Sequence, residues 1–163
     1  MLARSYDDIH RIDDSLNAIK RLSDGIIKIG PINVIGIDGI LSWIPIAGAP
    51  VNAIYSILAG LFILLQGIRA RCDLGTLIVS AIVLMMDSGV SAFDGIIPVI
   101  PAGSLIDTFF QGQLYACHMI QKDIEKTLYV EGRASDAHRD GSHAENLAEM
   151  RATKGKKRLV YLG

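Results

Sequence analysis

Formal charge is nearly absent from the middle of this sequence of 163 residues. Residues 34–118 contain two Lys/Arg and five Asp/Glu, whereas residues 1–33 and 119–163 together contain fourteen Lys/Arg and twelve Asp/Glu. The net charge of −1 excludes a strongly basic nucleic-acid-binding protein as a description of the whole chain. The chain is therefore an apolar block between two charged ends, and we predict no nucleic-acid partner.

Residues typical of catalytic and metal sites are also scarce. The two cysteines, Cys72 and Cys117, have neither metal-binding spacing nor the pattern of a disulfide framework, and we interpret them as buried thiols. The four histidines form no helical pair with an intervening acid, and the sequence contains no phosphate-binding loop and no nucleophile elbow. We therefore predict no catalytic residue, no metal, no cofactor and no small-molecule substrate, and hence a protein that is not an enzyme.

The N-terminal region carries the clearest helical pattern. Residues 5–27 place large aliphatic residues three and four positions apart, which predicts an amphipathic helix. Ser5 and Asp8 resemble a capping box at its start. This helix packs on its own protein, or it lies on a bilayer surface or a partner. The same region lacks the continuous apolar core of a signal peptide.

The apolar block contains long runs without charge that proline and glycine interrupt. From Gly39 to Ile68 there are thirty residues without a formal charge, more than the roughly twenty that a spanning helix requires. Proline inside a helix removes a hydrogen bond, so the breaks at 45–50 and 98–103 divide the block. The predicted helical arms are 34–44, 51–68, 74–92 and 105–130.

An eight-residue stretch occurs twice in this block. Residues 38–45 and 94–101 share Asp, Gly, two Ile and a final Pro, and a small turn with Gly follows each copy. A repeat of this kind predicts two copies of one supersecondary unit. The residues of this motif are Asp38, Gly39, Pro45, Gly48, Asp94, Gly95, Pro101 and Gly103.

The doubled motif of an acid, an apolar run, Ile-Pro and a small turn resembles a bacterial family known as domain of unknown function 4112. Asp38, Pro45 and Gly48 match that pattern in the first half, and Asp94 and Pro101 match it in the second. The resemblance covers residues 34–120. It implies a small membrane-associated protein, and it implies no activity and no catalytic residues.

The acidic residues of the arms allow two interpretations. A carboxylate deep in hydrocarbon faces protein or water, so Asp87, Asp94 and Asp107 are candidates for an ion or proton path. Alternatively, Asp38, Asp94 and Asp107 accept backbone N–H groups at helix starts. Asp87 does not fit the second interpretation, because it falls inside a helical run.

The C-terminal residues, 132–163, are predominantly polar and predict an extended tail, with a helix possible at 143–152. Its basic cluster is a candidate contact for lipid headgroups or for a partner, and the alternative is a solvated tail. The residues of that cluster are Lys154, Lys156, Lys157 and Arg158.

Together these patterns predict an all-α integral membrane protein of the bacterial inner membrane. It has an N-terminal amphipathic helix at 1–33, a duplicated membrane-embedded domain at 34–131 and a polar tail at 132–163. The duplicated domain consists of two Pro/Gly-broken helical hairpins, with halves at 34–72 and 73–131. The distribution of Lys and Arg predicts that the N-terminus and the tail are cytoplasmic.

Three functions are compatible with this prediction. The first is a non-catalytic structural or accessory subunit of a larger membrane protein assembly, whose partners are membrane lipid and other membrane protein subunits. The second is a small oligomeric channel or transporter-like protein that uses the intramembrane aspartates. The third is a helical bundle that buries its arms in itself.

Overall fold

The computed structural model describes residues 1–23, 27–29, 32–35, 48–94 and 112–163. The described part is mostly helical and contains two small sheets, so the all-α prediction is wrong in that respect. The elements in chain order are α1 (Tyr6–Ser23), β1 (Ile27–Ile29), β2 (Ile32–Ile35), α2 (Gly48–Arg69), α3 (Leu74–Asp94), α4 (Gly112–Lys126), β3 (Thr127–Val130), α5 (Ala134–Asp140), α6 (Ser142–Ala152) and β4 (Arg158–Tyr161).

Helix α1 forms as the aliphatic spacing predicts. Ile9, Ile12 and Leu16 are buried, and the helix packs mainly against α4, which confirms packing on its own protein. The Asp8 N–H donates to Ser5 Oγ at 3.3 Å, and Asp8 Oδ2 accepts from the Arg4 N–H at 3.0 Å. That N–H group lowers the pKa of Asp8 below its usual value. The predicted cap is therefore present, with Arg4 supplying the reciprocal donor.

Helices α2 and α3 form an antiparallel hairpin around a tight turn at residues 70–73. Helix α2 begins at Gly48, so Pro50 lies in its first turn, where the missing N–H costs little. The hairpin joins arms that were predicted to belong to different repeat halves. The predicted bend at 45–50 coincides with the start of α2, and the bend at 98–103 lies outside the described residues.

Helix α4 lies at the centre of the packing. It contacts α1, α2 and α3, and its buried Ala116, Cys117 and Ile120 belong to the same apolar core as Leu16 and Ile63. The helix was predicted to continue to residue 130, but it ends at Lys126. The next four residues form β3 instead, because Thr127, Leu128, Tyr129 and Val130 pair in parallel with β4.

The C-terminal segment is folded rather than extended. Parallel strands need a crossover connection, and α5 and α6 supply it between β3 and β4. Strand β4 pairs with β3 in the register Thr127 to Arg158 and Val130 to Tyr161. The second sheet is the antiparallel pair of β1 and β2. The domain boundaries themselves stay a prediction.

The integral membrane prediction is wrong. Within the described ranges, no helix combines the length and the hydropathy that a bilayer crossing requires. The predictions of transmembrane helices and of an inner-membrane location are therefore wrong as well.

Candidate interaction surface

Helices α2 and α3 expose a broad apolar surface, which we call the apolar face. Its thirteen large side chains, seven from α2 and six from α3, are between 42% and 69% exposed. They are Ile54, Ile57, Leu58, Leu61, Phe62, Leu65 and Ile68 of α2, and Leu74, Ile78, Val79, Ile82, Met85 and Met86 of α3.

The spacing of these residues explains why each set lies on one side of its helix. They recur three and four positions apart in both helices, so each set forms a stripe along its helix. A second stripe on each helix points inward, where Ile63, Gln66 and Leu84 are buried. No charged residue occurs at 54–68 or 74–86. Both helices are thus apolar on two sides, and among the residues that the structure describes only one of these sides is covered.

Two glycines allow the inward stripes to pack closely. A Cβ atom at Gly67 would lie 2.7 Å from Leu77 Cδ2 and 3.0 Å from Ile120 Cδ1, which is closer than side chains normally approach. A Cβ atom at Gly60 would lie 3.6 Å from the nearest Leu84 atom, at ordinary contact distance. The hairpin is therefore packed most tightly near the turn, where α4 also meets it.

A groove beside α2 continues the apolar face toward the N-terminus. Its apolar walls are formed by Met1, Leu2, Phe62, Leu65 and Ile68. The first residues are held there because the Ala3 N–H donates to the Arg69 carbonyl oxygen at 2.9 Å, and Arg69 Nε donates to the Met1 carbonyl oxygen at 3.3 Å.

The turn between α2 and α3 is bound by polar groups from α4, β3 and β4, which we call the turn cluster. Tyr129 Oη donates to the Ala70 carbonyl oxygen at 2.8 Å, and Arg158 Nη2 donates to the Arg71 carbonyl oxygen at 2.7 Å. The Asp73 N–H donates to Asp123 Oδ2 at 2.7 Å. Each residue of the cluster thus satisfies a backbone group that the turn leaves without a helical partner.

Arg71 links the same turn to the end of β4. Its φ of 54° is in the left-handed region, which a non-glycine residue rarely adopts. Its guanidinium donates to the Tyr161 carbonyl oxygen and, at 3.4 Å, to the Leu162 carbonyl oxygen. These bonds compensate for the local backbone strain and fix the direction in which the hairpin leaves the body of the protein.

The charged pair of the turn cluster is partly buried. Arg158 Nη2 lies 3.3 Å from Asp123 Oδ2, and their side chains are 27% and 14% exposed. Arg158 Nε also donates to Thr127 Oγ1 at 3.2 Å. Next to them, burial and then the Asp123 carboxylate raise the pKa of Cys72 to about 12, so its thiol is neutral and unreactive at physiological pH.

The remaining cysteine is equally buried. Burial raises the pKa of Cys117 to about 12. Both cysteines are free thiols in the apolar core, which confirms the interpretation from sequence. Among the described residues, no group of three or more His, Cys, Asp or Glu side chains is arranged to hold a metal ion.

Most of the repeat motif lies outside the described residues. Two of its members can be placed: Gly48 is the first residue of α2, and Asp94 is the last residue of α3. The others, which lie outside, are Asp38, Gly39, Pro45, Gly95, Pro101 and Gly103.

The structure describes the helical positions of two of the three aspartates of the predicted ion path. Asp87 lies within α3 and Asp94 at its end, and Asp107 is outside the described residues. The predicted path depended on helices that cross a membrane, so the channel hypothesis is not carried further.

The basic cluster divides into two parts. Lys156 Nζ donates to the Thr127 carbonyl oxygen at 2.8 Å, and Arg158 belongs to the turn cluster. Lys154 and Lys157 are exposed. Two of the four cations, Lys156 and Arg158, therefore bind within this chain, and a contact of Lys154 and Lys157 with lipid or a partner stays a prediction.

Three features of the structure were not predicted from the sequence. The apolar face was interpreted as lipid-facing helix surface, although the absence of charge in 54–68 and 74–86 was the correct signal. The turn cluster was not predicted, because Arg71 and Arg158 are 87 positions apart and no short motif contains both. His143, whose Nδ1 lies 3.0 Å from Tyr161 Oη, was likewise not connected with β4.

Comparison of the chain with protein-family models, with curated proteins and with solved structures found no match. The resemblance to domain of unknown function 4112 therefore stays a prediction.

Proposed function

We propose that this chain is a non-catalytic structural or accessory subunit of a larger protein assembly, and that it docks to another polypeptide through the apolar face. The observation that supports the proposal is the set of thirteen half-exposed large apolar side chains on two adjacent helices. Single exposed apolar residues are normal on protein surfaces, but a contiguous patch of this size marks an interaction site.

The energetics favour docking. Full burial of one large apolar side chain contributes about 1.5–3 kcal/mol, so covering the exposed half of thirteen would contribute roughly 10–20 kcal/mol before the costs of association. Costs of association are on the order of 4–15 kcal/mol. The gain is therefore comparable with the cost, and in the upper half of its range it exceeds the whole of the cost.

The turn cluster supports the same function. It fixes the α2–α3 turn to the body of the protein through Tyr129, Asp123 and Arg158. A surface that is already rigid loses little conformational entropy when a partner binds, which increases affinity. The folded C-terminal segment thus acts by orienting the apolar face.

Photo-crosslinking in the native cell tests this proposal. A photoreactive amino acid replaces Leu61 or Ile82, which lie on the α2 and α3 stripes and are 54% and 50% exposed. The control places the same group at Ala148, an exposed position of α6 far from the hairpin in sequence.

We expect Leu61 and Ile82 to give adducts with a polypeptide, and Ala148 to give none above background. Mass spectrometry of the adduct identifies the crosslinked chain. Absence of any polypeptide adduct from both face positions, while the protein remains folded and abundant, would refute docking through this surface.

A further inference from the structure

We propose that the polypeptide on the apolar face is a second copy of this chain, so that two α2–α3 hairpins pack face to face as a four-helix bundle. This inference rests on the proposed function, because it names the partner of the same surface. It is carried by the composition of the face and by its area.

The composition of the face suits a copy of itself. One way in which an interface rejects wrong partners is to place charges that repel them. Residues 54–68 and 74–86 carry none, so no like charges meet when two copies of the face are brought together. Interfaces between identical subunits are also the most apolar class, and they are enriched in large apolar side chains such as Phe62, Met85 and Met86.

The area of the face is sufficient for a stable dimer. Aromatic side chains carry about 150–250 Å² and large aliphatic ones slightly less, so half exposure of thirteen leaves on the order of 1,000 Å² uncovered on each copy. A standard stable interface needs roughly 800 Å² from each partner. The apolar face alone therefore provides the surface that such a dimer must bury.

The inference commits to one orientation of the two copies. A two-fold axis perpendicular to the helices places the two turns at opposite ends and stacks α2 on α2. The exposed residues Arg69 and Asp73 then lie at the ends of the bundle, beyond the two stripes, which carry no charge.

This orientation makes Leu61 the central position. It is midway between Ile54 and Ile68, the first and last residues of the α2 stripe. Near the two-fold axis it packs beside its own counterpart in the other copy. A substitution at this one position therefore changes both copies at the centre of the interface.

Light scattering of the purified protein tests the inference. We expect the wild-type chain to have twice its mass of 17.6 kDa. The Leu61→Glu variant should weaken the dimer by about 100-fold or more and give the mass of one copy, because like charges then meet in an apolar interface. The Ala148→Glu control adds the same charge outside the face and should remain a dimer. Circular dichroism confirms that both variants keep the fold.

Mixing two variants provides a second measurement, because misfolded variants would not recover the two-copy mass when they are combined. Leu61→Glu and Leu61→Lys should each be single copies, and an equal mixture should return to the two-copy mass. A wild-type chain with the mass of one copy overturns the inference. If Leu61 then still crosslinks to a different polypeptide, the proposed function stands with another partner. If the wild type instead binds phosphatidylcholine vesicles and Leu61 gives no protein adduct, both proposals fail.

Discussion

At the scale of single residues, Arg158 connects three parts of the chain. Its guanidinium binds the Arg71 carbonyl oxygen, the Asp123 carboxylate and Thr127 Oγ1. Removing it leaves a partly buried carboxylate and a turn carbonyl without their partner. Groups left in this state lower stability more than the original bonds raised it.

We therefore expect Arg158→Met to lower the free energy of unfolding by about 2–3 kcal/mol, less than the loss for a fully buried ion pair because the side chains are partly exposed. The matched control is Lys157→Met, one position earlier, where the side chain is exposed and the change should stay within about 0.5 kcal/mol. Urea unfolding measures both. Equal losses in the two variants would show that the turn cluster does not stabilise the fold.

At the scale of elements, the packing of α2 depends on where along the helix a glycine lies. Gly60 and Gly67 are both in α2, and glycine inside a helix costs about 1 kcal/mol relative to alanine. Their surroundings differ, because only Gly67 is packed against both Leu77 and Ile120.

The two glycines should consequently respond in opposite directions to the same substitution. Gly60→Ala should stabilise the protein by up to about 1 kcal/mol, since the added methyl group meets Leu84 at ordinary contact distance. Gly67→Ala should destabilise it by about 1–2 kcal/mol, because overpacking exceeds the gain in helix propensity. Thermal unfolding of the two variants gives the sign of each change, and a stabilising Gly67→Ala would contradict the close packing of α2, α3 and α4.

At the scale of the whole molecule, local patterns predicted the helices and distant contacts decided the rest. Helix α1 and most of α2 followed from aliphatic spacing, although α2 begins at Gly48, three residues before the predicted start, and contains Pro50. The nature of the apolar surface did not follow, because a helix that is apolar on two sides has the same local pattern beside lipid and beside protein. Strand β3 was missed for a related reason: four residues that continue a helical pattern become a strand only through pairing with β4, about thirty residues later.

The buried ionisable groups predict how stability depends on pH. The thiols of Cys72 and Cys117 have a usual pKa of 9.0, and burial raises it to about 12 in the folded protein. Burial also raises the pKa of Tyr129. Above pH 9 the unfolded chain therefore loses protons that the folded chain retains. Stability is complete below that pH and falls as the pH rises toward 12.

Each thiol should lower the free energy of unfolding by about 1.4 kcal/mol per pH unit in this window. We expect the double variant Cys72→Ala, Cys117→Ala to show a shallower decline than the wild type between pH 9.5 and 11, although it is less stable at neutral pH because two buried side chains are smaller. Urea unfolding at a series of pH values compares the slopes. Parallel slopes would mean that the thiols are not buried in the folded state.

The parallel pairing of β3 with β4 also sets an order of events during synthesis. The Arg158 guanidinium binds the turn at 70–73, and the carbonyl groups of Tyr161 and Leu162 bind the Arg71 side chain of that turn. These three residues are synthesised after the turn. Sixty-four residues separate the end of α3 at Asp94 from Arg158, an interval of roughly 3–13 s at 5–20 residues per second. For those seconds the nascent chain contains the residues of α2 and α3 without the residues that bind their turn.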